Sequence, residues 1–326
     1  MPPTHSTVWW PRHRLFLSLG QHRYDLATRA LLMGFLDCTT GSPYVHGPQF
    51  NLDPFFERAE QFVRDGADLL DVGGVRAGPG PQATEEEELD RVVAVIASLR
   101  ERFDLPLSAD TWRASVARAA FEAGAVVGND TSGFADPEYL SVAAAAGASV
   151  VATHPRLSPR APEPAPRHDD VVAEVERFLL LCAERALLSG IPADHTILDA
   201  GLGLGKTADQ SLLLLQSSAR LASLGYPLLL SSSNRALVGV LPELGVGERR
   251  NASLAATAAG IAGGCRLLRV DDVAGTCKVR DLLAAILESA PQQGTGPDQA
   301  ALDGAGVDEA GPEQASETAL GSGTQR

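Results

Sequence analysis

The strongest constraint on the fold is a regular alternation of short apolar segments with helical segments. Between about residues 28 and 290, eight apolar stretches typical of buried strands are each followed by a stretch with helical periodicity. The first of these helices, over residues 53–66, places Phe55, Ala59 and Phe62 on one face. Eight evenly spaced units favour a closed barrel over an open, doubly wound sheet. We therefore predict an α/β fold, a single (β/α)₈ TIM barrel.

The segments outside this alternation are expected to lie outside the barrel. Residues 1–27 lack the order of charge, apolar block and cleavage site of a signal peptide, and we interpret them as a ragged N-terminal extension. The barrel domain is predicted over residues 28–290. Residues 291–326 contain six acidic residues, one arginine and almost no large apolar side chains, which predicts a disordered acidic tail.

Charge and cysteine content narrow the possible partners and the compartment. The formal net charge is −14 and the sequence pI is about 4.9, so neither a nucleic-acid nor an anionic-membrane partner is expected. No apolar run approaches the roughly 20 residues that span a membrane. The four cysteines lack CxxC pairing and zinc-ligand spacing, which indicates reduced thiols and a cytoplasmic location.

Polar residues stand at the ends of the predicted strands. In a TIM barrel these ends converge on one mouth, where the active site lies. A single strand-end carboxylate is often only a helix cap, but several carboxylates facing one cavity would repel each other without a ligand or a metal. The sequence therefore predicts a functional mouth. Its candidate residues are Asp37, Asp71, Asp110, Asn129, Asp130, His154, Asp199, Ser233, Arg269 and Asp271.

The sixth predicted strand leads into a glycine-rich turn. Asp199 is followed by three glycines spaced by single residues and then by Lys206. The spacing fits neither a P-loop nor a dinucleotide-binding fingerprint. By itself this stretch predicts a tight turn from strand to helix, with Lys206 anchoring the turn through a carboxylate or backbone carbonyls.

Five motifs, in this order along the chain, resemble those of dihydropteroate synthase of the folate pathway. The resemblance covers about residues 30–288. It implies a barrel enzyme that joins 6-hydroxymethyl-dihydropterin diphosphate to 4-aminobenzoate, with Mg²⁺ and loss of diphosphate, and that forms a homodimer. Asp110, Asn129 and Asp199 match the pterin-pocket residues of that family. The motifs lie at residues 66–74, 108–111, 129–130, 197–206 and 233–239.

The departures from the family pattern concentrate where diphosphate would leave. Asp37 replaces the asparagine that helps hold metal and diphosphate, and Gly78 and Asn234 each replace an arginine. Asp271 replaces a histidine, and Arg235 replaces the catalytic lysine, which also contacts the pterin. Asp37, Ser233, Arg269 and Asp271 are thus the predicted remnants of the diphosphate and aminobenzoate side.

The substitutions remove positive charge and add two carboxylates beside a developing anion. Loss of one hydrogen-bond donor to such an anion can lower the reaction rate roughly 10²–10³-fold. A metal held by Asp37 and Asp271 would offset part of the repulsion. The motifs around Arg76, Trp112 and Ser233 look most like the divergent second synthase paralogue of actinobacteria, which is regarded as lacking ordinary activity.

The sequence therefore predicts a pterin-binding barrel whose ordinary condensation reaction is weak or lost. Two alternatives stay open. One is an active synthase with a rebuilt metal and diphosphate site. The other is a different pterin-binding transferase that depends on methyltetrahydrofolate and needs a corrinoid-protein partner.

Overall fold

A computed structural model of the 326-residue chain describes residues 15–39, 45–46, 49–50, 52–75, 83–155, 169–231 and 246–289. The described residues form a closed barrel of eight parallel strands with helices around it. The predicted TIM barrel is confirmed. Its compact unit ends at Glu288, and residues 291–326, predicted to be a disordered tail, lie outside the described residues.

Each barrel strand pairs in parallel with the next one along the chain, and the last pairs with the first, which closes the barrel. Two short hairpins lie outside this ring: β1 (Phe16–Leu19) with β2 (His22–Asp25), and β4 (Val45–His46) with β5 (Gln49–Phe50). The barrel strands are β3 (Leu31–Asp37), β6 (Leu69–Gly73), β7 (Leu107–Asp110), β8 (Val127–Asp130), β9 (Ser149–Thr153), β10 (Thr196–Asp199), β11 (Leu228–Ser231) and β12 (Cys265–Val270).

The helices begin where the sequence supplies caps. Thr84 and Glu87 form a capping box at one helix start, and Thr207 and Gln210 form another. The helices are α1 (Leu52–Arg64), α2 (Glu85–Arg102), α3 (Ala114–Glu122), α4 (Tyr139–Ala145), α5 (Val171–Leu188), α6 (Ala208–Gln216), α7 (Ser218–Ala222), α8 (Val246–Ala262) and α9 (Val273–Ser289).

The apolar core has two parts because strand side chains alternate between the helices and the barrel interior. The larger part packs between strands and helices. The smaller part fills the barrel interior and is almost fully buried. Its barrel members are Leu31, Met33, Leu69, Val127, Val151, Ile197, Leu229 and Leu267.

The first hairpin belongs to this interior core. Leu17 and Leu19 of β1 and the following Leu26 are buried in the same cluster as the interior strand residues. Ser149 of β9 hydrogen-bonds the hairpin through the Ser18 carbonyl oxygen. Residues 15–26, which the sequence analysis placed in the extension, therefore cover the amino-terminal end of the barrel. Residues 1–14 lie outside the described residues.

None of the helices that the structure describes is both long enough and apolar enough to cross a membrane.

Candidate functional site

A layer of mainly polar side chains lies above the apolar interior of the barrel. Inward-facing residues recur every second position in a strand, so the next inward residue lies two positions beyond each interior apolar residue. On most strands that position is polar, and all of these positions face the carboxyl-terminal mouth. The layer consists of Phe35, Asp71, Asp110, Asn129, Thr153, Asp199, Ser231 and Arg269.

Arg269 connects three strands of this layer. Its Nε donates to Oδ2 of Asp71 at 2.7 Å, and its Nη2 donates to Oδ2 of Asp110 at 2.6 Å. Nδ2 of Asn129 donates to the same Asp71 oxygen at 3.2 Å. The Asp71 side chain is fully buried, whereas those of Arg269 and Asp110 retain 17% and 12% of their exposure. One network thus brings together Asp110, Asn129 and Arg269, which sequence analysis had placed on two sides of the pocket.

The guanidinium of Arg269 also stacks on an aromatic ring. Its central carbon lies 3.8 Å from the centroid of Phe35. Gly73 makes room for that ring, because a Cβ atom at this position would lie 2.8 Å from Cε2 of Phe35. Arg269 is therefore held by two carboxylates and one ring face, a favourable environment for a planar cation.

Burial sets the charge properties of the mouth. Desolvation raises the pKa of Asp110 to about 8, although the Arg269 charge opposes this shift and the Asp71 charge adds to it. Desolvation also raises the pKa of Asp199 to about 6, against the hydrogen bond from the Gly201 N–H and the charge of Lys206. Burial thus disfavours the charged form of both carboxyl groups, whereas the guanidinium of Arg269 favours the charged form of Asp110.

The glycine turn after β10 positions Asp199. Oδ1 of Asp199 accepts from the Gly201 N–H at 2.7 Å. Gly201 has a φ of 64°, and a Cβ atom there would overlap the His154 carbonyl oxygen, so the turn requires glycine. Nζ of Lys206 donates to the carbonyl oxygens of His154, Gly201 and Leu204 at 2.9–3.3 Å. The lysine thus anchors the turn through backbone carbonyls.

Of the other residues predicted on the diphosphate side, the structure describes Asp37 and Asp271. Oδ1 of Asp37 accepts from the Thr39 N–H at 2.8 Å. Asp271 is exposed, and its backbone oxygen accepts from Arg58 at 2.8 Å. Ser233 and Arg235 lie outside the described residues. Within the described ranges, no group of three or more His, Cys, Asp or Glu side chains is arranged to hold a metal ion.

Sequence analysis assigned no specific role to four residues of the layer. Asp71 was named only as a candidate at a strand end, and Phe35, Thr153 and Ser231 were not considered. The signal was present in the chain, since each lies two positions after an apolar residue that faces the interior, namely Leu69, Met33, Val151 and Leu229. Phe35 was not predicted to line the mouth because an aromatic residue inside a strand is ordinarily assigned to the apolar core.

Comparison with known proteins identifies relatives along nearly the whole barrel. The family profile described as "Pterin binding enzyme" matches residues 33–271. The chain is 39% identical over 271 residues to inactive dihydropteroate synthase 2 of Mycobacterium leprae, covering 81% of this chain and 93% of that protein. It is 36% identical over 274 residues to dihydropteroate synthase of Synechocystis, covering 82% and 94%.

Solved structures give the same result. The Yersinia pestis dihydropteroate synthase in a sulfonamide drug complex superposes with a TM-score of 0.78 at 32% identity, covering 84% of this chain and 99% of that one. The Xanthomonas albilineans dihydropteroate synthase with 4-aminobenzoic acid also gives 0.78, at 33% identity, covering 86% and 100%.

Proposed function

This chain belongs to the pterin-binding enzyme family of the dihydropteroate synthases, and we propose that it binds a pterin while the ordinary synthase reaction is weak or lost. The observation that carries the proposal is a contrast within one barrel mouth. The network of Asp71, Asp110, Asn129 and Arg269 is assembled, whereas the residues that should stabilise the leaving diphosphate are replaced.

The assembled side has the chemistry that recognises a pterin. A pterin edge carries an amino group, a ring N–H and a carbonyl, and therefore presents both donors and acceptors. Asp110 and Asp199 offer acceptor oxygens, and Asn129 offers an amide. Because these groups lie in a largely buried mouth, each matched hydrogen bond discriminates strongly between ligands. We assign the pterin to Asp110, Asn129 and Asp199, with Arg235 adjoining them on the basis of its motif alone.

The opposite side lacks the charge that the reaction needs. Condensation of dihydropterin diphosphate with 4-aminobenzoate expels diphosphate, and the expelled oxygens carry the developing negative charge. Asp37 and Asp271 stand in the places of an asparagine and a histidine, and Gly78 and Asn234 in those of two arginines. The guanidinium of Arg269 is engaged by Asp71 and Asp110. These facts support weak or absent turnover on this side of the pocket.

Members of this family generally depend on Mg²⁺, and Asp37 is the residue we assign to it. Mg²⁺ is commonly held by one or two carboxylates together with substrate phosphates and water, so one carboxylate at the mouth suits it. The ion would neutralise diphosphate oxygens when the diphosphate form of the ligand binds.

We also propose that the protein is a cytoplasmic homodimer. Its four cysteines form no disulfide, as expected in a reducing compartment. The exposed leucines of α5 and α6 support self-association; for example, Leu181, Leu187 and Leu188 are 52%, 56% and 80% exposed. Light scattering should give twice the 34.2 kDa chain mass, and Leu188→Glu should weaken the dimer.

Calorimetric titration tests the proposed function directly. The purified protein is titrated with 6-hydroxymethyl-7,8-dihydropterin and then with its diphosphate, each with and without Mg²⁺. Asp110→Asn is the site variant. The matched control is Asp104→Asn, because the side chain of Asp104 is fully exposed. We expect binding of the free pterin, little or no gain from the diphosphate, and at least about tenfold weaker pterin binding in Asp110→Asn alone.

Two results would overturn this proposal. Tight binding of the diphosphate, followed by formation of dihydropteroate when 4-aminobenzoate is added, would show an active synthase with a rebuilt site. Absence of binding by either pterin would show that Asp110, Asn129 and Asp199 serve another ligand or the structure of the barrel.

A further inference from the structure

Asp71 is a buried carboxylate to which the proposed function assigns no contact with the ligand. It lies in the middle of β6, two residues above the apolar interior, with no exposed side-chain surface. Its Oδ2 accepts hydrogen bonds from Nδ2 of Asn129 and from Nε of Arg269. Its Oδ1 is buried and has no hydrogen bond to any residue that the structure describes. The hydrogen bonds described for its side chain therefore all serve two other residues of the mouth.

These two contacts fix the orientation of Asn129. A carboxylate paired with a guanidinium offers only acceptors. An asparagine beside it must therefore turn its NH₂ group toward the carboxylate, and its carbonyl oxygen then points elsewhere. The side chain of Asn129 therefore presents its carbonyl oxygen and only one remaining N–H to the rest of the mouth, although an unconstrained asparagine could present either end.

The same carboxylate fixes Arg269. Because Nε is committed to Asp71, the guanidinium plane is set, and Nη2 reaches Asp110 in that plane. The ring of Phe35 covers one face of the guanidinium. Arg269 therefore has two edges and one face occupied before any ligand enters.

We propose that Asp71 is the positioning residue that makes the pterin pocket acceptor-rich, and hence selective for a heterocycle with a donor-rich edge. With Asn129 held as an acceptor beside Asp110 and Asp199, the pocket favours an amino-bearing pteridine over one with a carbonyl in the same place. This inference rests on the proposed pterin-binding function and adds its specificity.

Asp68 supplies a matched control three residues earlier in the chain. Like Asp71 it has two side-chain partners, in this case Arg29 at 2.9 Å and Arg280 at 2.9 Å, and its side chain is 14% exposed. It accepts from the Leu32 N–H, at the start of β3, and so lies at the opposite end of the barrel from the mouth. Replacing Asp68 removes a largely buried carboxylate with two side-chain partners, without touching Asn129.

The experiment compares binding of pterin with binding of lumazine, in which a carbonyl replaces the 2-amino group. The full chain is used as wild type, Asp71→Leu, Asp71→Asn and Asp68→Leu. Wild type should prefer pterin by at least about tenfold, because a mismatched acceptor leaves buried groups unpaired. Asp71→Leu should reduce the preference to within about threefold, since Asn129 can then rotate. Asp71→Asn keeps an acceptor oxygen and should retain most of the preference, as should Asp68→Leu.

A ligand-free measurement separates this inference from the proposed function. In ¹⁵N-labelled wild type, the side-chain NH₂ protons of Asn129 should exchange with solvent at least about tenfold more slowly than those of the exposed Asn251. Equal exchange at the two asparagines would overturn the positioning role, whether or not any pterin binds and whether or not Asp71→Leu folds. A full pterin preference in folded Asp71→Leu would overturn it as well. Because Asn129 is itself buried, slow exchange supports the positioning role only if it becomes faster in folded Asp71→Leu; that result without pterin binding would uphold the positioning and reject the proposed ligand.

Discussion

Replacing Arg269 with methionine tests the central network of the mouth. Arg269 pairs with Asp71 at 2.7 Å and with Asp110 at 2.6 Å, and its side chain is only 17% exposed. Removing one partner of a buried ion pair usually costs about 3–5 kcal/mol, because the remaining charge is left uncompensated. Since the mouth retains some exposure, we expect Arg269→Met to lower the free energy of unfolding by about 3 kcal/mol at pH 7.

The loss of unfolding free energy caused by Arg269→Met should be larger at alkaline pH. The pKa of Asp110 in the folded protein, about 8, exceeds its value of 3.8 in the unfolded chain, so stability falls as pH rises between these values and levels off above 8. Loss of Arg269 removes the charge that lowers this pKa, so in Arg269→Met the fall continues beyond pH 8. The added loss is at most about 1.4 kcal/mol per pH unit.

Urea unfolding at pH 7 and pH 9, followed by tryptophan fluorescence, measures both effects. Arg250→Met is the matched control, because Arg250 pairs with Asp272 while 54% exposed and should cost only about 0–1 kcal/mol. The double variant Arg269→Met/Asp71→Asn should recover part of the stability lost in the single variant. If Arg269→Met unfolds at the same urea concentration as Arg250→Met at both pH values, the network does not stabilise the barrel as described.

Three further predictions concern other parts of the barrel. Burial raises the pKa of Asp130 to about 7, so the contribution of Asp130 to stability declines as pH rises from about 4 to 7. The urea midpoint of Asp130→Asn should therefore rise relative to that of wild type between pH 5 and pH 7, and a constant difference would contradict this. Gly201→Ala should destabilise by at least about 2 kcal/mol more than Gly147→Ala, since both glycines have positive φ but only the first lacks room for a Cβ; equal melting temperatures would refute the steric explanation. Leu19→Ala should cost about 2–5 kcal/mol because Leu19 is fully buried, whereas Leu282→Ala, at a 64% exposed position, should cost little; similar losses would mean that the hairpin does not seal the barrel.

The site could be located from the sequence because of a local rule. Strand tips in a TIM barrel face one mouth, so Asp110, Asn129 and Asp199 could be assigned to it before any contact was known. The same rule could not choose among the carboxylates, since a strand-end aspartate serves equally well as a helix cap. Asp130 illustrates this, because its side chain accepts from the Phe134 N–H in the turn that follows its own strand instead of joining the network in the mouth.

The partner of Arg269 could not be predicted from its motif. The family pattern groups Arg269 with Asp37 and with Asp271, which lies two residues after it. The contacts that the structure describes for Arg269 are instead with Asp71, 198 residues earlier, and Asp110, 159 residues earlier. That assignment to the diphosphate side stays a prediction. Contacts of this range depend on the register around the closed barrel, which is a property of all eight strands together.

The sequence by itself determined the architecture and the position of the mouth, because strand and helix periodicities are local and eight repeated units leave few ways to bury their apolar faces. Only the tertiary structure decided that residues 15–26 cover the amino-terminal end of the barrel, since the leucines of this hairpin pack against side chains from several strands of the closed ring. It also decided that Asp71 holds Asn129 and Arg269. The physical reason is the same in both cases: the energy of a buried group depends on neighbours that folding brings together from distant parts of the chain.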